Sequence, residues 1–249
     1  MFTCIVYISA WQGCAFVSCH SSYTPPTWPG SSKVRTGLSG SLHSPVVNAI
    51  AYCRKYGAIW LEILMNAIYL GEKFAAALPY DKYVRTGKED QQKRWQQVYA
   101  AALLTPAQTQ LISSFKRDIK VLIISGIWCG DCVQQCPLLQ KIAEANPAHF
   151  DLHLLDRDEH RDLIEQLRIN AGDRVPVVLF LAEDFELCGV YGDRTLTRYR
   201  ALAAKHLAAA CPLPIAVPDR DELSATMQDW LNEFERIQLM LLLSTRLRQ

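Results

Sequence analysis

Apolar residues change their spacing several times between Thr105 and residue 210, and each change marks an element. Thr105-Pro106-Ala107-Gln108 places a capping hydroxyl, a proline at the first helical position and a glutamine at the third, which predicts a helix over 106–117. Val121-Leu122-Ile123-Ile124 is an unbroken apolar run, the pattern of a strand covered on both faces. Beyond it the spacing predicts a helix over 129–145, a strand over 152–155, a helix over 161–167 and a second buried strand over 177–181. A turn at Glu183-Asp184 leads into a strand over 186–191, after which Asp193 can cap a helix over 194–210. The order helix, strand, helix, strand, helix, strand, strand, helix specifies an α/β sandwich around a mixed sheet.

The flanks read differently. Over 46–104 the pattern is helical: Ile59, Ile63, Ala67 and Leu70 recur at three- and four-residue steps, and a polar helix follows over 89–104. This predicts an N-terminal helical extension ahead of a core domain at 105–211. Residues 212–249 form a linker with Pro212, Pro214 and Pro218, then a helix in which Asp219 and Glu222 resemble a capping box. Leu223, Met227, Trp230, Phe234, Ile237 and Leu241 make a heptad-like stripe along that helix. The stripe either packs on the chain's own helices, the first expectation, or makes a dimer or partner contact through 219–243.

Residues 1–45 gather Ser, Thr, Pro and Gly between Ser21 and Ser44, no Asp or Glu precedes Glu62, and they are expected to be a leader without regular structure. The stretch 2–19 is apolar enough to raise export or membrane anchoring as the alternative to a cytoplasmic protein, but no Lys or Arg precedes it and Gln12 interrupts it.

Composition narrows the function. The chain is 50% hydrophobic and 20% charged, ordinary for a globular protein with a core. Its 26 Lys and Arg against 25 Asp and Glu leave no basic footprint, so nucleic acid is not an expected partner. The nine cysteines are Cys4, Cys14, Cys19, Cys53, Cys129, Cys132, Cys136, Cys188 and Cys211; an odd, scattered set favours a reducing compartment.

The chemistry concentrates at Cys129-Gly130-Asp131-Cys132, which follows a buried strand and opens a helix. Unpaired backbone N–H groups and the helix dipole would stabilise a thiolate at Cys129, lowering its pKa below the free value of about 8.5. Cys132, one turn on, can then attack a mixed disulfide formed at Cys129. The same spacing is half a zinc site, and Cys136 could add a third thiolate, but no fourth ligand is evident and no metal is expected. Cys136 otherwise reads as a buried thiol or the partner in an alternative disulfide. A carboxylate at Asp131 would oppose thiolate formation and favour a reductant, or serve only as a first-turn helix residue. The charge run from Asp156 to Asp162 reads as a solvated loop.

The segment from Val121 to Pro137, with Trp128-Cys129-Gly130-Asp131-Cys132 at its centre and Pro137 five residues after the second cysteine, resembles the thioredoxin superfamily's first core strand, redox centre and kinked helix. Arg174-Val175-Pro176-Val177-Val178 is similar to that family's cis-proline element, and Gly192 to its glycine loop. The variant motif with added terminal helices resembles a divergent bacterial thioredoxin-like branch. The resemblance implies a thioredoxin-like sandwich with extra N- and C-terminal helices. It implies a dithiol–disulfide cycle at Cys129 and Cys132 with no other cofactor, protein disulfides as substrates, and a reductase or small thiol as electron donor. Trp128 would shield the sulfurs, the Val175 backbone would pair with an extended substrate, Pro176 would shape the groove and keep metals off, and Gly192 would form its third wall. A thioredoxin-fold adaptor that binds without turnover is the alternative. Two residues depart from the family pattern: Ile123 stands where a buried Asp is usual, and Leu152 or Leu154 where its Lys partner is. The proton acceptor for Cys132 is left to a water or another side chain; His153 and Asp156 are near in sequence without being assigned.

Overall fold

The computed structural model describes residues 65–207 and 221–247, all within the unit Ala49–Gln249. The leader expected over 1–45 with its apolar stretch 2–19, the turns through Ile59 and Ile63, Cys211, the linker prolines and Asp219 lie outside the described residues. The elements in chain order are α1 (Ala67–Ala76), β1 (Leu78–Pro79), α2 (Tyr80–Arg85), α3 (Glu89–Ala101), α4 (Pro106–Ser113), β2 (Ile119–Ser125), α5 (Gly130–Glu144), β3 (Phe150–Asp156), α6 (Arg161–Ile164), β4 (Val177–Leu181), β5 (Leu187–Gly192), α7 (Leu196–Leu207) and α8 (Glu222–Leu243).

The five strands form one mixed sheet in the order β1-β3-β2-β4-β5. β2 runs parallel to β3, with Ile123 opposite Leu154, and antiparallel to β4, with Ile123 opposite Val178. Every residue of β4 is buried, and in β2 only Lys120 is partly exposed, so both faces of the central sheet carry helices, the α/β sandwich with a mixed sheet that the pattern specifies. The pleat divides these residues. Ile119, Val121 and Ile123 share a face with Phe150, Phe180 and Tyr191. There Phe234 of α8 meets Phe150 and Phe180 at 5.0 and 5.3 Å between ring centroids, and Trp230 meets Tyr191 at 5.0 Å. His153 points to the opposite face, where Phe74 of α1 stacks on it at 4.5 Å.

The stripe on α8 is therefore covered by the chain's own sheet: Met227, Trp230, Phe234, Ile237 and Leu241 are buried, and Leu223 packs at the edge. Gln238 closes this contact, its Nε2 donating to the Arg117 carbonyl at 2.6 Å and its Oε1 accepting from the Arg117 amide at 3.0 Å. The stripe itself is thereby occupied by intramolecular packing, while Leu239, Met240, Leu242 and Leu243 of the same helix are exposed. No helix among the described residues is long and apolar enough to cross a membrane.

Several boundaries differ from the sequence expectation for local reasons. The capping box at Thr105 forms, Thr105 Oγ1 accepting from Gln108 N at 3.2 Å and Gln108 Oε1 from Thr105 N at 2.9 Å. The helix stops at Ser113 rather than Arg117 because Asn146 Nδ2 takes the Ile112 and Phe115 carbonyls at 2.8 and 3.0 Å. α7 is capped by Thr195, whose Oγ1 accepts from Arg198 N at 3.4 Å, and not by Asp193, whose carboxylate is engaged elsewhere. α8 is capped by Asp221, which accepts from Leu223 N at 3.3 Å. Residues 46–104, expected as a helical extension packed on the rest, are helical over Ala67–Ala76, Tyr80–Arg85 and Glu89–Ala101 but also contain a strand that the pattern did not predict. β1 joins the sheet from that segment, pairing Leu78 with Leu154, and Tyr80, Tyr83 and Trp95 are buried in the common core. A two-residue edge strand ending in proline is too short to leave an alternation to read.

Replacing Phe234 with Ala is expected to lower unfolding stability by about 3–5 kcal/mol in urea. The Leu243→Ala change, at a side chain 69% exposed on the same helix, should stay within about 0.5 kcal/mol.

Candidate active site

β2 ends at Ser125, and the chain turns through Gly126, Ile127 and Trp128 into α5. Cys129 is the residue that begins this helix; its N–H donates to the Gly126 carbonyl at 2.9 Å and its carbonyl accepts from Val133 N at 3.0 Å. Trp95 of α3, wholly buried, holds the turn from below, its Nε1 donating to the Ile127 carbonyl at 3.0 Å. Gly126 is required here, since a Cβ would come within 2.9 Å of the Trp128 ring. That ring is 45% exposed and lies under the Arg157 guanidinium at 4.6 Å, a cation–π contact. A cavity of about 390 Å³ adjoins it.

Cys129 is half-buried and Cys132 wholly buried, both as free thiols. Cys129 Sγ donates to the Val175 carbonyl at 3.6 Å, and the Val175–Pro176 peptide bond is cis. Gly192 closes against that proline at a φ of 156°; a Cβ there would come within 2.4 Å of the Pro176 carbonyl oxygen. A Cβ at Gly130 would meet nothing within 4 Å, so the helix start beside Cys129 is open. Trp128, Cys129, Gly130, Val175, Pro176 and Gly192 thus converge on one sulfur-bearing edge. Cys132 lies beneath, its Sγ accepting from Gly126 N at 3.5 Å.

The electrostatics differ from expectation at two residues. The Cys129 thiol is pushed above its ordinary range, first by its hydrogen bond with the Cys132 thiol and then by burial; the N–H groups of Cys132 and Asp131 pull it down without prevailing. The expected lowering by the helix start is therefore outweighed. Asp131 is not a lone carboxylate facing the sulfur. Its oxygens take Arg194 Nη2 at 2.5 Å and Arg198 Nη2 at 3.2 Å, so two guanidiniums offset its charge.

Those contacts belong to a frame that sequence reasoning missed. Asp193, nearly fully buried, accepts from Arg174 and Arg194 at 3.1 Å each and from the Tyr199 hydroxyl. Burial pushes the Asp193 carboxyl up, but the bonds from Tyr199 and Arg174 hold it below the usual carboxylate range. Gln135, buried on α5, donates to the Asp193 carbonyl at 2.9 Å and accepts from Thr195 N at 3.2 Å. Arg198 continues to Glu222 at the start of α8. The frame ties the start of α5 to the proline loop, the glycine loop and α7. The only sequence signal was adjacency, Arg174 two residues before Pro176 and Asp193 next to Gly192.

The residues near the missing carboxylate take other roles. Ile123 and Leu154 are wholly buried. His153 stacks on Phe74 with its Nδ1 at 3.3 Å from the Phe74 carbonyl, and Asp156 Oδ1 accepts from Asp158 N at 2.8 Å. Cys136 is buried with its Sγ 3.8 Å from Ser125 Oγ, while Cys188 donates to the Glu186 carbonyl at 3.6 Å. Among the described residues no group of three or more His, Cys, Asp or Glu side chains is arranged to hold a metal ion.

Residues 77–204 match the family model described as thioredoxin. No curated protein matches the chain. Among solved structures, a Pseudomonas aeruginosa protein of unknown function is similar at 21% sequence identity and a TM-score of 0.54, over 67% of this chain and 96% of that one. Mitochondrial thioredoxin 3 of Saccharomyces cerevisiae in its oxidized form is 24% identical over 38% of this chain and 86% of its own, with a TM-score of 0.26.

The Asp131 clamp can be tested by a double-mutant cycle in urea unfolding. Asp131→Asn and Arg194→Gln should each destabilise, and the pair should fall short of additivity by about 0.5–3 kcal/mol. Strict additivity would mean that the carboxylate and the guanidinium act independently.

Proposed function

Because this chain belongs to the thioredoxin family, we propose that it is a thiol–disulfide oxidoreductase that reduces protein disulfides through a Cys129/Cys132 dithiol–disulfide cycle. The observation that carries this reading is the pairing of a half-buried thiol at a helix start, 3.6 Å from the Val175 carbonyl, with a wholly buried thiol one turn deeper. In the cycle the Cys129 thiolate attacks one sulfur of a substrate disulfide. The substrate's S–S bond breaks, a mixed disulfide forms, and the released sulfur takes up a proton. Cys132 then attacks Cys129 Sγ, the second substrate sulfur leaves, and two electrons have passed to the substrate. A reductase or a small thiol returns the pair to the dithiol.

The substrate chain would lie along Val175 and Pro176, with Gly192 as the far wall, Trp128 as the near one and the open side of Gly130 leaving room for it. The preference for reduction follows from the Cys129 thiol. A thiol held protonated lacks the stabilisation by ionisation that favours the reduced form of an oxidant, which is consistent with electrons passing outward. Such a reductant works in a reducing compartment.

Reduction of insulin disulfides with dithiothreitol as donor should be catalysed by the wild type and lost in Cys129→Ser, while Cys132→Ser should accumulate a substrate mixed disulfide. With the Cys129 pKa raised, the thiolate fraction grows as pH rises. The alkylation rate of Cys129 should therefore climb steadily up to at least about pH 8.5, the ordinary thiol value. A rate plateau below neutrality, or insulin reduction that survives Cys129→Ser, would contradict the reading.

A further inference from the structure

The cycle, on which this inference rests, requires Cys132 to give up its proton where no water reaches it. Burial opposes that ionisation, and the Cys136 thiol opposes it further, while the Cys129 thiol and the Ser125 hydroxyl favour it. A buried thiolate needs hydrogen-bond donors. Ile123, on the strand below, offers none, and the backbone contributes the Gly126 N–H at 3.5 Å.

Two hydroxyls face this region. Ser125, the last residue of β2, is wholly buried with its Oγ 3.8 Å from Cys136 Sγ. Tyr83 enters from α2, 1% exposed, its ring against Trp95 at 5.7 Å between centroids, and its Oη has no hydrogen-bond partner. The polar groups acting on that Oη are the Ser125 hydroxyl, the sulfurs of Cys132 and Cys136, and the Asp156 carboxylate at the end of β3. An orphaned hydroxyl in a core costs free energy unless it meets an acceptor in some state of the protein. The acceptor that the cycle creates is the Cys132 thiolate, and once the Ser125 proton turns to it the Ser125 oxygen is free to accept from Tyr83 Oη. Burial keeps the Tyr83 phenol protonated far above neutrality, which suits it to donate and not to act as a base.

We propose that Tyr83 and Ser125 position and stabilise the resolving sulfur, Tyr83 Oη–H donating to Ser125 Oγ and the Ser125 proton turning to Cys132 Sγ as it becomes a thiolate. In the resolving step the bond between Cys129 and the substrate sulfur breaks and the Cys129–Cys132 bond forms. The proton lost by Cys132 ends on the departing substrate thiol, so the two hydroxyls are unchanged at the end of the turnover. Tyr80, the neighbouring orphaned hydroxyl on α2, bears on Cys136 and Tyr99 instead and takes no part.

The test mixes the reduced full-length protein with glutathione disulfide, quenches with acid at intervals and weighs the tryptic peptide 121–141, which carries Cys129, Cys132 and Cys136 and no other cysteine. In Tyr83→Phe and Ser125→Ala the glutathione adduct at Cys129 should form at the wild-type rate. Its conversion to the Cys129–Cys132 disulfide should slow about ten-fold, with the pH midpoint of that step displaced upward. Tyr80→Phe should match the wild type. An unchanged resolving step in both variants, or parallel slowing of adduct formation and resolution, overturns the proposal. A wild type that forms no Cys129–Cys132 disulfide overturns the redox reading itself and this inference with it, an outcome visible before any variant is compared.

Discussion

Burial of β2 on both of its faces is the constraint from which the site follows. Because Ile119 through Ser125 are locked between β3 and β4, the chain leaves the sheet at a fixed point and direction. The three residues that follow are then held by Trp95 below and the Trp128 ring folded over Gly126. Cys129 is thus delivered to a helix start at the C-terminal end of the central strand. Helical geometry does the rest, since a residue three positions on sits one turn deeper and on nearly the same side. One thiol reaches outward and the other is enclosed without any special feature of their own.

What the backbone cannot fix is the distance from that helix to the loops facing it, and here charge takes over. Isolated surface ion pairs contribute little. The frame around Asp131 and Asp193 differs in being partly buried, multiply bonded and continuous across four segments. Its effect is geometric: it ties the segments that carry Val175 and Gly192 to the start of α5. By engaging Asp131 it also removes that carboxylate as an independent influence on the sulfur, leaving burial and the neighbouring thiol to set the chemistry.

The legible parts of this protein were those written in short-range spacing. Buried strands announce themselves as apolar runs, Thr105 and Gln108 as a capping box, and Cys129, Cys132, Pro176 and Gly192 as motifs in a recognisable order. The α8 stripe was visible as a stripe and its packing on the chain's own helices was the first expectation; α8 does meet α5 and α7, and what the stripe did not announce was its contact with the sheet. The frame escaped notice because its partners stand far apart in sequence, Asp131 from Arg194 and Arg198, so that Asp131 read as an unpaired charge. Tyr83 escaped for a similar reason: α2 is six residues long, sits behind a two-residue strand, and carries no periodicity to set it apart from the helical pattern around it.

The most direct test of the dithiol cycle is the equilibrium of the full-length protein in graded dithiothreitol or glutathione buffers, with the thiols at Cys129 and Cys132 counted by mass after alkylation. The account expects a single two-electron transition confined to that pair, near the thioredoxin value of about −270 mV. A transition near about −120 mV would mark an oxidant and contradict the reducing role. The absence of any transition at these two thiols would contradict the cycle altogether.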